Sequence, residues 1–316
     1  MREEFQKPRA RLESEQGHIA LVTHEHPDGD AVGATLALGL FLAAHGKGVS
    51  WICRTKIPYR YDFLPGVGDF KQEIPPDAAF VVLVDTPDMA RSRLSWDGAV
   101  MRVDHHAEGL ENEWSIVDPA AASTGSILLG FMREWDEPGI NEGMALCLYT
   151  AILTDTNSFT IRTDGRVLRD AAWLLEGGID GHWVADRIYR RRTSGYLKLL
   201  ARALESLSVE MDGAFALVMV RGEDFVATGA RGHEAESLVD YPFSLDGVLV
   251  ACKIQQDHDL WRVSLRSRGD VSAERIAKEL GGGGHFHAAG AVVQVELDDL
   301  LARLRAAVAR ELGVAR

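Results

Sequence analysis

Residues 18–33 read HIALVTHEHPDGDAVG, and this stretch decides how the first half of the chain folds. The run HIALVT at 18–23 is short and apolar, the composition of a buried strand. A polar loop follows, HEHPDGD at 24–30. Then comes an apolar run from Ala31 to Ala44, rich in Ala and Leu, with Gly46 placed to stop it. That run is long enough for a helix. A strand that feeds a helix through a short polar loop is the opening of an α/β unit.

The same alternation continues outward from this stretch. Strands are predicted at 48–53 (GVSWIC), at 79–84 (AFVVLV, ending at Asp85) and at 99–103 (AVMRV, ending at Asp104-His105-His106). Helices are predicted at about 123–135 and 141–154, and helical spacing returns at 166–177 and 183–207. After Asp212-Gly213 the pattern changes to strands at 215–220, 247–254 and 260–266, then a helix at 272–280 and the glycine run Gly281–Gly284. A strand at 291–296 and a helix from about 298 complete the chain. The predicted fold class is α/β: an open, mostly parallel sheet followed by a second, smaller α+β domain. The expected division is a first domain over 1–195, a helical linker over 196–212 and a second domain over 213–316.

Composition narrows the function. The 316 residues carry 47 acidic and 34 basic side chains, a formal net charge of −13. Such a body repels long polyanions, which argues against a protein that coats DNA or lies on an anionic membrane. A local basic pocket for a small phosphorylated molecule stays compatible with it. No run of about 18 apolar residues occurs, and the charged N-terminus lacks the apolar core of a signal peptide. Cys53, Cys147 and Cys252 are odd in number, far apart and form no CxxC pair. This disfavours a disulfide framework and favours a reducing compartment, so the expected location is the cytoplasm.

Eleven histidines are present, and six of them fall in three close pairs: His24/His26, His105/His106 and His285/His287. In the first half, titratable groups cluster after apolar segments. His24, Asp28 and Asp30 follow the first strand, and Asp85 follows VVLV. Asp104, His105 and His106 follow VMRV, and Asp155 follows LCLYTAILT. In an open parallel sheet the crevice lies beyond the carboxyl ends of the strands, so these groups can converge there. Carboxylates gathered without cations repel one another and take up protons, whereas divalent metals stabilise them in charged form. Mixed carboxylate and imidazole donors suit Mn²⁺ or a related first-row ion. Four aspartates and two histidines exceed the usual protein ligands of one ion, so two ions sharing a carboxylate are expected. Taken singly, each feature has a plainer reading: Asp28 or Asp30 as an N-cap, Asp85 as the start of a turn, Asp155 as a helix end. It is their coincidence at strand ends that points to a metal centre.

In the second half, the glycine run follows AERIAKEL, where one or two glycines would satisfy a helix C-cap. Four glycines followed by His285 suggest a binding loop whose N–H groups reach an anion. Arg266 and Arg268, at a strand end, have the fork geometry for phosphate. Ser123-Thr124-Gly125 could hold a phosphate at a helix N-terminus, with a simple N-cap as its plainer role. Arg190, Arg191 and Arg192 read as a solvated charge run.

Four segments, His24-Glu25-His26-Pro27-Asp28-Gly29-Asp30-Ala31-Val32-Gly33, Val84-Asp85, Val103-Asp104-His105-His106 and Thr154-Asp155-Thr156, resemble the ordered motifs of the DHH phosphoesterase superfamily. The stretch from Gly281 to Gly290, GGGGHFHAAG, resembles the GGGH signature of the DHH-associated domain. The two-domain layout is most similar to the nano-RNase/pAp-phosphatase branch. The resemblance implies His24 and Asp28 as ligands of one ion and Asp30, His105 and Asp155 as ligands of a second, with Asp85 shared. It implies His106 beside the phosphate and Asp104 orienting an imidazole, so Asp85, Asp104 and His106 form the expected catalytic set. From the residues alone, either member of the 105/106 pair can be the ligand. Arg266, Arg268, Gly283, Gly284 and His285 resemble substrate-holding residues. The implied cofactors are two divalent ions, Mn²⁺ first and Mg²⁺ or Co²⁺ next. The implied partners are short RNA oligonucleotides or mononucleotide bisphosphates (pAp), with no membrane and with a homodimer as candidate assembly. Rival expectations are a cyclic or linear dinucleotide phosphodiesterase, a RecJ-like single-strand exonuclease, and a non-catalytic nucleotide sensor.

Overall fold

A computed structural model describes residues 2–314. The chain divides between Arg191 and Arg192 into two compact units. The first begins with helix α1 (Glu3–Ser14), which is not among the elements predicted from sequence. Its buried residues Phe5, Pro8 and Leu12 line one face. Phe5 meets Phe131 edge-on at 5.3 Å between ring centroids.

The first unit continues through β1 (His18–Val22), α2 (Gly29–Ala44), β2 (Val49–Ile52), β3 (Ala78–Val84), α3 (Met89–Ser92), β4 (Val100–Asp104) and β5 (Ile116–Val117). It closes with α4 (Thr124–Asp136), α5 (Glu142–Asp155), α6 (Gly165–Glu176) and α7 (Gly181–Tyr189). Its sheet has the order β2-β1-β3-β4-β5 and is parallel throughout. β3 is buried from Phe80 to Val84, which is why it reads as an unbroken apolar run. The chain leaves β1 towards β2 on one side and returns to β3 on the other. That reversal opens a crevice at the carboxyl ends of β1 and β3.

Helix α2 is apolar on all sides because it is buried on all sides. It crosses α5 closely through two glycines one turn apart. A Cβ at Gly29 would stand 2.4 Å from Thr154 Oγ1, and one at Gly33 would stand 2.4 Å from the carbonyl oxygen of Cys147. The N-terminus of α2, with Asp28 and Asp30, therefore meets the C-terminus of α5, with Asp155.

The helix predicted over 183–207 is two helices. α7 ends at Tyr189, and a new helix, α8 (Ser194–Glu205), starts where Thr193 Oγ1 accepts the N–H of Tyr196 at 2.9 Å. Between them Arg191 pairs with Asp62 at 2.7 Å.

The second unit runs through α8, β6 (Ser208–Glu210), β7 (Phe215–Val220), α9 (Gly222–Thr228), α10 (Asp240–Phe243), β8 (Val250–Asp257) and β9 (Leu260–Ser267). It ends with α11 (Ala273–Glu279), β10 (Gly283–His285), β11 (Ala288–Val293) and α12 (Leu297–Leu312). Its mixed sheet has the order β10-β11-β9-β8-β7-β6. Tyr196, Leu199 and Ala203 of α8 bury against Val218 and Val220 of β7, which builds this helix into the second unit. The final strand lies three residues earlier than its predicted 291–296, because alanines and Gly290 gave it no β-branched signal. Part of the glycine run is itself a strand: β10 pairs antiparallel with β11, Gly284 opposite Ala289. Among the described residues no helix is long and apolar enough to cross a membrane.

Candidate metal centre

The loop after β1 and the ends of β3, β4 and α5 bring six of the sequence-predicted ligands together. His24, Asp28 and Asp85 form one group of potential ligand atoms lying within 4.8 Å of one another. Asp30, His105 and Asp155 form a second group, and Asp85, Asp104, His105 and His106 a third. His24 Nε2 lies 3.8 Å from Asp85 Oδ2, and His105 Nε2 lies 3.6 Å from Asp85 Oδ1 and 3.7 Å from Asp155 Oδ2. His24 Nδ1 is 2.9 Å from the carbonyl of Glu25, which can only accept. Nδ1 therefore carries the proton and Nε2 presents its lone pair to the group.

Each carboxylate is held by local structure. Asp28 caps α2 by accepting the N–H of Ala31. Asp30 is 1% exposed and accepts the N–H groups of Thr124 (2.7 Å) and Gly125 (2.9 Å) at the start of α4. Ser123 supplies the ordinary cap to Ser126. The helix N-terminus that the sequence offered as an anion site thus binds the protein's own carboxylate. Asp85 is 2% exposed, accepts the hydroxyl of Thr124 at 2.9 Å and has left-handed backbone, φ +54°. Aspartate tolerates that conformation better than most residues, and such strain concentrates at functional sites.

Burial pushes the carboxyls of Asp30 and Asp85 well above their usual range, and neighbouring carboxylates add to the effect: Asp155 and Asp28 for Asp30, Asp30 and Asp28 for Asp85. Asp155 is pushed up to about 7, first by burial and then by Asp28, while Arg162 pulls the other way. Three carboxylates crowded in this way, with imidazole nitrogens between them, form a donor set that divalent cations satisfy.

Asp104 belongs to the same cluster but is shifted the opposite way. Arg102, fully buried on β4, donates to Asp104 Oδ2 through Nε (2.9 Å) and Nη2 (2.7 Å). The backbone N–H and Nδ1–H of His106 donate to Oδ1 at 3.1 and 2.6 Å. Burial opposes the charge of Asp104, but His106 and Arg102 together hold its carboxyl below the usual range. Both histidines lie near Asp85, but His105 also faces Asp155 while His106 is oriented by Asp104.

In the second unit, Ala288 pairs with Arg266 on one side and with His285 on the other. Directly paired residues share a face, so Arg266 and His285 stand on the same side of the sheet, two strand spacings apart. Arg266 Nε lies 3.8 Å from Asp240 Oδ1. Arg268 donates to the carbonyl of Phe243 and lies over that ring at 4.3 Å. Gly283 and Gly284 lie in β10, and Gly284 has φ +145°.

Sequence reasoning missed Arg102, Arg162 and the double role of Thr124. A charged residue inside the apolar strand VMRV was the available signal for Arg102.

The profile of the DHH family N-terminal domain matches residues 18–152, and that of the DHHA1 domain matches residues 217–310. The chain is 32% identical to the bifunctional oligoribonuclease and PAP phosphatase NrnA of Thermus thermophilus, over 95% of this chain and 92% of that one. It is 26% identical to the NrnA of Bacillus subtilis, over 90% and 93%. The crystal structure of an exopolyphosphatase-related protein from Bacteroides fragilis shares the fold, with a TM-score of 0.87, 24% identity and coverage of 95% and 94%. Fold, site and relatives define a hydrolase of the phosphoesterase class. The chain belongs to the DHH family, with a DHHA1 domain as its second unit.

Proposed function

We propose that this protein hydrolyses phosphate esters of short RNA oligonucleotides and of 3′,5′-bisphosphate nucleotides such as pAp, using two Mn²⁺ ions in the first unit. The observation that carries this reading is the gathering of carboxylates and imidazoles, with Asp30, Asp85 and His105 buried and Asp28 exposed, at the carboxyl ends of β1, β3, β4 and α5. It is supported by the activity in the name of the Thermus thermophilus relative, which matches across nearly the whole of both chains.

His24 and Asp28 would hold one ion, Asp30, His105 and Asp155 the other, with Asp85 reaching both. When bound, such a pair activates water and neutralises charge on the attacked phosphoryl group. The chain's own residues do the rest. Thr124 and the N-terminus of α4 fix Asp85 and Asp30 against rotation. Asp104 holds the Nδ1–H of His106, so that when the ring carries its second proton, the Nε2–H is the one offered to the leaving oxygen. In the second unit, Arg266, Arg268, Gly283, Gly284 and His285 would be the residues that bind nucleotide.

The test is kcat/KM with Mn²⁺ across a 5′-phosphorylated RNA dinucleotide, a longer RNA, pAp, cyclic di-AMP and pyrophosphate. The dinucleotide and pAp are expected to lead. Preference for cyclic di-AMP would overturn the substrate assignment. Asp85→Asn, which keeps the left-handed backbone and the bond from Thr124, should abolish turnover and remove the rise in Tm that Mn²⁺ gives the wild type. Mn²⁺-dependent turnover by folded Asp85→Asn would refute the site.

A further inference from the structure

The loop after α5 presents a cation to the carboxylate group that the sequence reading did not single out. Among the described residues, ten non-glycine positions have positive φ, and Asn157, Ser158, Phe159 and Arg162 are four of them. Left-handed backbone at such residues costs on the order of 1–3 kcal/mol each, so surrounding structure must enforce it. The enforcement centres on Thr156. Its hydroxyl donates to Ile152 O at 2.6 Å and accepts the N–H of Phe159 at 3.1 Å. Its carbonyl accepts the N–H groups of Thr160 (2.9 Å) and Ile161 (3.1 Å), while the N–H of Ser158 reaches Leu153 O at 2.8 Å. The loop is therefore a fastened structure, and Arg162 stands at its end.

The side chain of Arg162 is 43% exposed. Its Nη1 lies 3.4 Å from Asp155 Oδ2 and 3.2 Å from His105 Nδ1. Both partners belong to the Asp30–His105–Asp155 group. Nη1 alone makes these contacts, so Nη2 and Nε keep their donors for an incoming acceptor. Arg102, which also lies beside the centre, is buried and committed to Asp104 and to the carbonyls of His106 and Leu110. Arg162 is thus placed where a phosphate approaching these carboxylates would need a partner of opposite charge.

We propose that Arg162 is a phosphate-binding residue of the first unit, exchanging its contact with Asp155 for a non-bridging oxygen of the substrate phosphate. This rests on the phosphoesterase reading above and adds to it a specific anion contact. A fixed positive charge beside Asp155 competes with a divalent ion for the same carboxylate. Removing it therefore acts in opposite directions on anion and cation binding.

The experiment uses the full chain as wild type, Arg162→Ala and Arg162→Lys. Calorimetry measures Mn²⁺ binding to chelator-treated protein and inorganic phosphate binding to the Mn²⁺-loaded protein; kinetics measure KM and kcat for pAp. The expected result for Arg162→Ala is phosphate affinity down about tenfold or more and KM raised in step, with Mn²⁺ affinity unchanged or higher. Arg162→Lys should recover part of the phosphate affinity, because it keeps the charge and loses the fork. Wild-type phosphate affinity in Arg162→Ala overturns the proposal. So does a parallel loss of Mn²⁺ and phosphate binding, which is the signature of a structural role. A wild type that binds phosphate through Arg162 yet hydrolyses no ester would instead refute the function proposed above, so the two failures are distinguishable.

Discussion

Asp104 serves two partners at once, the buried guanidinium of Arg102 and the ring of His106. Asp104→Ala would leave Arg102 charged and unpaired in the interior. Breaking such a pair costs about 3–5 kcal/mol, readable as a lower urea midpoint. The double variant Arg102→Met/Asp104→Leu should regain most of that stability without regaining kcat, because the ring of His106 stays unanchored. An active double variant would show that this anchoring is dispensable.

Lys253 is a second case at this scale. It is buried on β8 and donates to Ala235 O and Gln255 Oε1, both at 3.1 Å. Burial pulls its ammonium down from the ordinary 10.5 to about 8. Between those values the unfolded chain holds a proton that the folded chain has released, so stability should rise with pH through this window. The gain is on the order of 3 kcal/mol over the whole window. Urea midpoints of wild type and Lys253→Met, compared from pH 8 to 10.5, should diverge in favour of the wild type. Parallel profiles would refute the shift.

At the scale of elements, the candidate metal centre depends on how α2, α4 and α5 meet. α2 carries Asp28 and Asp30, α5 carries Asp155, and the N-terminus of α4 grips Asp30. Gly33→Ala would place a methyl group against the Cys147 carbonyl. Overpacking of this kind costs about 1–3 kcal/mol and would spread the two helices. The expected outcome is a lower Tm together with weaker Mn²⁺ binding, although Gly33 touches no ligand. Unchanged Mn²⁺ affinity would show that the helices tolerate the added group.

The longer strands and the strand-end clusters of carboxylates and imidazoles were legible in the sequence because strand burial and clustering are local signals, whereas the short β5 and β6 were not. The break at Arg190–Thr193 was not legible, since Thr193 competes with a continuous helix only through its own capping bond. Nor was the strand inside the glycine run, which exists only because β11 is present to pair with it.

For the whole molecule, charge bears on which substrates are admitted. A body of formal charge −13 repels a strand more strongly the more phosphates it carries. With 5′-phosphorylated RNAs of increasing length, kcat/KM should fall at low salt. Added salt should narrow the gap between long and short, because screening weakens the repulsion. A basic nuclease would behave the other way, losing long substrates as salt rises. Finding that pattern here would mean that local basic surfaces dominate.

The sequence by itself determined the α/β class, the change of pattern near Asp212-Gly213 and the clustering of carboxylates and imidazoles at strand ends. Each of these is written in residues close together in the chain. The tertiary structure alone decided that His105 faces Asp155 while Asp104 orients His106, and that the N-terminus of α4 holds Asp30. It also decided that Thr124 bonds Asp85, Arg102 bonds Asp104 and Arg162 reaches Asp155 and His105. Thr124 meets Asp85 across 39 residues of chain and Arg162 meets His105 across 57. Contacts at such separations come from the packing of elements, and local periodicity carries no record of them.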